Sequence, residues 1–426
     1  MPGQDGERRA AAILADAFET SGLRDVATTE FGIPGWWRGT SSLSVSGPVA
    51  RTFDAEHEVV ALPGTPPADA DAEVVDLGYG LPPDYERVDV EGKLVLVTAS
   101  AGDPPGYDRP LHRTEKYQRA ADAGAAGLLF YSGLEGCLPP TGWAVLERPE
   151  ETPGPIPAVG VSHEVGQRLL RWSERGPVTA TLETDCENRP ATSRNVEAVV
   201  GPDTDEEILV TAHLDAHDLG DGARDNGAGS ALVAETGRLL ATMAEDLDTR
   251  VRLVVFGSEE AGFYGAHHWA DTHDLSDVAC VLNLDAIGGS RTLRVRTHGF
   301  EPIRRAFASV AEEFDVPVRI DEDVSVFSDQ WAFVQRGVPG AAVGSVADQS
   351  ERRWGLGRLW SHTHADTLDK LDARDLRALA VPVTAAVVRL ANGDFDFGRE
   401  SASTIRERVP AAARSEMEYT GRWPWE

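Results

Sequence analysis

Several polar segments stand directly behind short apolar runs. His213-Leu214-Asp215 follows Ile208–Ala212, Glu259-Glu260 follows Val251–Phe256 through Gly257-Ser258, and Asp285 follows Ala279–Leu284. Gly222-Ala223-Arg224-Asp225-Asn226-Gly227 lies between the first two, and His362-Thr363-His364-Ala365-Asp366-Thr367 comes late in the chain. Imidazole nitrogen and carboxylate oxygen are ordinary zinc ligands, and a catalytic zinc keeps one position for water. Two zincs about 3.5–4 Å apart can share one carboxylate and one water. Such a centre needs a bridging carboxylate, two histidines and two further carboxylates. These segments supply that set, with one carboxylate to spare as a general base.

Each segment alone has an ordinary explanation. A His-x-Asp pair is commonly a hydrogen-bonded surface pair, and Asp225-Asn226-Gly227 fits a turn and helix N-cap. Paired glutamates suit a solvated helix start, where the dipole favours acid. What separates them from these readings is their shared placement. The runs Ile208–Ala212, Val251–Phe256, Ala279–Leu284 and Gly340–Val343 read as buried strands, and Gly229–Met243 and Glu301–Glu313 as helices. Alternating strands and helices imply a mainly parallel sheet flanked by helices, an α/β fold. Ligands of such sheets bind beyond the carboxyl ends of the strands, where these polar residues fall.

An earlier stretch repeats the alternation on a smaller scale. Leu94–Val97, Ala125–Tyr131, Ile156–Val161 and Val178–Leu182 read as strands, with helices over Lys116–Ala123 and Val165–Trp172. It forms a smaller α/β module inserted after an opening helix and a Trp36-Trp37 segment. The expected organisation is an N-terminal part of the catalytic domain over residues 1–50, the inserted module over 51–190, the catalytic domain over 191–400 and a tail over 401–426.

The ordered motifs resemble those of the di-zinc exopeptidases, which include bacterial leucyl aminopeptidases, glutamate carboxypeptidase and the glutaminyl cyclases. The likeness rests on His213-x-Asp215, Gly222-Ala223-x-Asp225-Asn226-Gly227, Glu259-Glu260-x-Gly262, Asn283-Leu284-Asp285, Ser328-Asp329-Gln330 with Gly337-Val338-Pro339, and His362-Thr363-x-x-Asp366-Thr367. Gly92–Val161 is similar to the protease-associated domain, including Lys116 ahead of an Ala-x-x-Ala-Gly-Ala junction. The resemblance implies two zinc ions. His213 and Asp285 would hold one, Glu260 and His362 the other, and Asp225 would bridge them. Glu259 would be the general base, and Asp215 would orient the His213 ring. His364, His217, His267, His268 and His273 read as packing, pocket or surface groups, while Asp218 and Asp329 are candidates to line the pocket.

The implied reaction is removal of N-terminal residues from peptides by metal-assisted hydrolysis. A dipeptidase or carboxypeptidase would share the metal set and anchor a terminal carboxylate with arginine, for which Arg224, Arg352 and Arg353 are candidates. A glutaminyl cyclase generally uses one zinc and lacks the insert. A non-catalytic receptor on this fold would have lost ligands that are all present here.

Composition narrows the partners. The net charge is −30, which repels nucleic-acid phosphates and anionic membrane surfaces. No apolar run reaches the 18 or so residues of a membrane span. Only Lys93, Lys116 and Lys370 are lysine. An acid-rich, lysine-poor surface suggests a salt-rich setting, where screening offsets self-repulsion. Cys137, Cys186 and Cys280 have neither CxxC spacing nor an even count, which suggests a reducing compartment and a cytoplasmic location. Peptides are the expected partners; the oligomeric state is not legible.

Overall fold

The computed structural model describes residues 1–99, 104–147, 150, 152–347 and 360–425. Two compact units share the chain. The first takes Met1–Ile33, Ala191–Ser361 and Asp366–Pro410; the second takes Pro34–Pro190, His362–Ala365 and Ala411–Glu426.

An eight-stranded sheet organises the first unit, in the order Arg24–Trp37, Glu187–Val200, Arg250–Phe256, Glu207–His213, Val278–Leu284, Gly340–Ser345, Leu293–Arg296 and Val318–Asp321. Its four middle strands are mutually parallel, with His213 opposite Phe256 and Thr211 opposite Asn283. Every residue of Glu207–His213 and of Val278–Leu284 is buried. Helices cover both faces, so these strands read as unbroken apolar runs rather than as alternating ones. On one face the helix Ala373–Asn392 packs against Ala228–Ala241 and Glu301–Phe314. Glu301–Phe314 buries Ile303, Phe307 and Val310 at helical spacing, each worth roughly 1.5–3 kcal/mol. The opposite face is closed by Trp269, Ala332 and Phe333 over Leu209, Val254, Phe256 and Val281. Antiparallel pairing appears only towards the flanks, where Glu187–Val200 meets Arg250–Phe256 and Leu293–Arg296 meets Gly340–Ser345. The parallel core puts the residues after His213, Phe256 and Leu284 on one rim.

The second unit has its own eight-stranded sheet, ordered Arg51–Phe53, Ser41–Ser46, Thr179–Thr184, Ala68–Asp76, Leu94–Thr98, Gly127–Tyr131, Ala158–Val161 and Val59–Ala61. Its middle strands, from Ala68–Asp76 through Ala158–Val161, are parallel. Ser41–Ser46 pairs with Thr179–Thr184, Leu43 facing Leu182, so this unit starts at Pro34 rather than at residue 51. One apolar cluster gathers Leu43, Leu94, Leu129 and Leu169, and another Val95, Val97, Tyr117 and Leu128. Lys116 is 1% exposed, with Nζ donating to the Thr98 carbonyl at 2.9 Å, and burial lowers its pKa to about 8. Residues 411–425 fold into this unit as well. Arg422 is buried between Glu416, at 2.5 Å, and Glu147, at 3.2 Å, and Glu416 also accepts from Thr114 Oγ1 at 2.7 Å. The Tyr419 hydroxyl donates to Asp122 at 2.8 Å.

Candidate metal centre

Within the first unit the rim brings His213, Asp225, Glu259 and Asp285 together. Donor atoms of His213, Glu259 and Asp285 lie within 4.8 Å of one another. His213 Nε2 is 3.1 Å from Asp225 Oδ1 and 3.5 Å from Asp285 Oδ1. His213 ends its strand, and the Ser230 hydroxyl donates to its carbonyl at 2.8 Å. Its Nδ1 lies 3.0 Å from the Asp215 main-chain carbonyl, whereas the Asp215 carboxylate is 3.9 Å away. The group that fixes the ring is thus the carbonyl. The carboxylate has another task, accepting the backbone N–H groups of Glu259 at 2.9 Å and Glu260 at 3.2 Å.

That pair of bonds explains why Glu259-Glu260 is not a solvated helix start. Ser258 is left-handed, with φ of 61°, and the helix begins only at Tyr264. Both glutamates are buried. Gly257 donates to Asn195 Oδ1 at 3.1 Å, and a side chain there would strike Ser193 and the Arg194 carbonyl. The segment is held at both ends by buried amide and carboxylate groups.

Asp225 sits in the turn Ala223–Gly227, where its own backbone and that of Asn226 are not helical. The Asp366 carboxylate accepts the backbone N–H groups of Arg224 at 2.9 Å and Asp225 at 3.1 Å. Asn226 Nδ2 donates to the Leu284 carbonyl at 2.8 Å, tying the turn to the strand end that presents Asp285. Asp285 donates its own N–H to the Val343 carbonyl at 3.0 Å. Asn283, one position before Leu284, donates to Ser328 Oγ at 2.9 Å and Gln330 Oε1 at 3.1 Å, and accepts from Thr211 at 2.7 Å. The Ser328-Asp329-Gln330 motif is anchored through this network.

The electrostatics are one-sided. Asp215, Glu259, Glu260 and Asp329 are buried, and Asp225 and Asp285 are largely covered. Burial lifts the pKa of Glu259 well above the carboxylate range; His213 opposes the shift, while Asp285, Glu260 and Asp329 add to it. Asp329 moves the same way for the same first reason, and neither of its carboxylate oxygens has a hydrogen-bond partner among the described residues. Burial works against the imidazolium of His213, yet Glu259, Asp225 and Asp285 raise its pKa well above the usual value. Arg224, buried beside Asp225, Asp366 and Asp285, is a second cationic group here. Buried carboxylates in this excess, with imidazole among them, fit a divalent cation; zinc takes both donor types.

Sequence reasoning missed His217. Its Nε2 lies 2.9 Å from Glu260 Oε2, and both side chains are buried. A lone histidine two residues beyond His-x-Asp carries no signal of its own. His362 belongs to the second unit, where its Nδ1 is 3.3 Å from the Thr141 carbonyl. Elsewhere His268 stacks on Phe31 and His273 on Trp269, at centroid separations of 5.0 and 4.0 Å. His267 is held neutral, its pKa lowered by burial to about 4. Arg352 and Arg353 lie outside the described residues.

Residues 195–387 match peptidase family M28, and residues 56–169 match the PA domain. Aminopeptidase YwaD of Bacillus subtilis is 26% identical over 97% of this chain and 85% of its own. Carboxypeptidase Q of Xenopus laevis is 27% identical over 87% of this chain and 78% of its own. Among solved structures, the zinc aminopeptidase BSAP from Bacillus subtilis superposes with a TM-score of 0.71 at 25% identity, covering 95% of this chain and 92% of that one. A peptidase M28 precursor from Shewanella amazonensis gives a TM-score of 0.76 at 25% identity, over 94% and 91%. Fold, rim and relatives together define a metallopeptidase, a hydrolase of exopeptidase type. Residues 195–387 thus form a peptidase family M28 domain, and residues 56–169 a PA domain.

Proposed function

We propose that this protein is a zinc-dependent aminopeptidase that binds two zinc ions and uses Glu259 as general base. The observation that carries the reading is the convergence of His213, Asp225, Glu259 and Asp285 on one rim, amid more buried negative charge than the protein itself neutralises. His213 and Asp285 would hold one ion, Glu260 and, by its family motif, His362 the other, and Asp225 would be shared by both. Bound zinc polarises the scissile carbonyl and makes water more acidic. Glu259 accepts the water's proton and returns it to the leaving amine, a role suited to a buried carboxylate of raised proton affinity. Asp215 holds the backbones of both glutamates by accepting their N–H groups. The similarity to YwaD and BSAP supports the aminopeptidase assignment.

A carboxypeptidase reading draws on the similarity to carboxypeptidase Q and on Arg224, buried beside Asp225. Arg224, however, already faces Asp225, Asp366 and Asp285, which neutralise a charge that a terminal carboxylate would need. The deciding assay compares aminoacyl-anilides, dipeptides, and peptides blocked at either end, with bound zinc measured by elemental analysis. Cleavage of anilides and of C-terminally blocked peptides, with two zincs per chain, is expected. Cleavage only of N-terminally blocked peptides, or full activity with fewer than two zincs, refutes the assignment.

A further inference from the structure

The strand Glu207–His213 runs on as His213-Leu214-Asp215-Ala216-His217, so one aspartate stands between two histidines. Asp215 uses both carboxylate oxygens on the backbones of Glu259 and Glu260. On one side of it His213 turns Nε2 towards Asp225 and Asp285. On the other side His217 brings Nε2 to 2.9 Å from Glu260 Oε2. This five-residue segment therefore brings one imidazole to the carboxylates assigned to each ion.

The geometry points to His217 as a direct ligand of the second zinc, beside Glu260. This inference rests on the two-zinc reading above and adds a residue to it. Donors at about 2.0–2.1 Å on one five-coordinate zinc, which still has room for water, stand roughly 2.9–3.3 Å apart, and the imidazole and carboxylate are already 2.9 Å apart. Both side chains are nearly inaccessible, at 6% and 4% exposure, so each needs a polar partner in place of water. Asp215 fixes the main chain of Glu260, which leaves its carboxylate as the part that His217 faces. The bland alternative is that His217 only donates a hydrogen bond to Glu260 and orients it.

Glutamine separates the two roles, since its amide donates a hydrogen bond like imidazole but is a poor zinc ligand. Metal-free full-length protein is titrated with zinc against a chromophoric competitor, as wild type, His217→Ala and His217→Gln, with circular dichroism confirming each fold. Both variants are expected to lose more than the 10–100-fold typical of an orienting partner at one site, about 100-fold or greater, and to leave the other site unchanged. Cobalt(II) in the affected site should show shifted visible bands on loss of a nitrogen ligand. His217→Gln binding within about threefold of wild type while His217→Ala is weakened would make His217 an orienting group and overturn the inference. So would zinc-binding wild type with unaltered His217 variants. The failure of the underlying reading looks different: a wild type that takes up no zinc overturns both.

Discussion

Asp215→Ala tests how the rim is built. Each Asp215 oxygen accepts one backbone N–H, from Glu259 at 2.9 Å and from Glu260 at 3.2 Å, in a place only 1% exposed. A hydrogen bond to a charged group contributes about 1.5–3 kcal/mol, so alanine gives up about 3–6 kcal/mol locally. Asparagine keeps one acceptor and turns an N–H donor towards the other N–H, which costs about half as much. An opposing effect reduces both figures. Burial, and the Glu260 charge with it, raises the Asp215 pKa against the pull of His213, so removing the carboxylate relieves some repulsion. Amide hydrogen exchange reads the local cost directly, because Glu259 and Glu260 supply the donors. In metal-free protein their exchange should quicken by about 10²–10⁴-fold in Asp215→Ala and by about 10–10²-fold in Asp215→Asn. Amides beyond hydrogen-bond reach of Asp215 serve as controls. Unchanged exchange at both glutamates in Asp215→Ala would refute the argument that this carboxylate holds the segment.

Three further outcomes are expected. Glu259→Gln should keep both zincs and lose about 10²–10⁴ in turnover, whereas Glu260→Gln should lose zinc at one site; the reverse pattern in turnover and bound zinc reverses the two roles. With a net charge of −30, the protein should melt at lower temperature in dilute buffer than in molar salt, and a melting temperature independent of salt contradicts this. Glu7 is buried, and its pKa is raised to about 7, first by burial and then by Asp215, against Ser193, Gly3 and Arg194. The folded chain keeps a proton that the unfolded chain releases, so stability falls as pH rises from 4.5 towards 7. Glu7→Gln should flatten that slope and be more stable at pH 8 by up to about 3 kcal/mol; equal slopes in urea titrations at several pH values would contradict it.

The rim was legible because a polar residue just after a fully buried strand stands out against the run before it. His213 after Ile208–Ala212 and Asp285 after Ala279–Leu284 are cases of this kind. The short strands Leu293–Arg296 and Val318–Asp321 were not legible. Each has four residues mixing apolar and charged side chains, a pattern that exposed loops share. The start of the second unit at Pro34 was hidden because Ser41–Ser46 pairs with a strand well over a hundred residues later. Composition cannot announce a long-range partner. The membership of residues 411–425 was hidden for another reason. They join through Arg422, Glu416 and Tyr419, whose residue types suit an exposed tail equally well. His217 and Asp329, whose carboxylate has no hydrogen-bond partner among the described residues, depend on burial, which no local pattern around them records.

That last stretch has a consequence for how the protein is made. Translation produces the strands of the second unit from Ser41 to Thr184 early, and they leave the ribosome long before residues 411–425 exist. Until Arg422 emerges, Glu147 lacks the guanidinium that pairs with it in the buried network. Burial and the neighbouring acid raise the Glu147 pKa to about 7 even with Arg422 in place. The nascent second unit therefore waits with Glu147 uncompensated while the first unit from Ala191 onward is synthesised. Its final locking is a late event, and a stop codon after Pro410 strikes a module whose strands were translated hundreds of residues earlier.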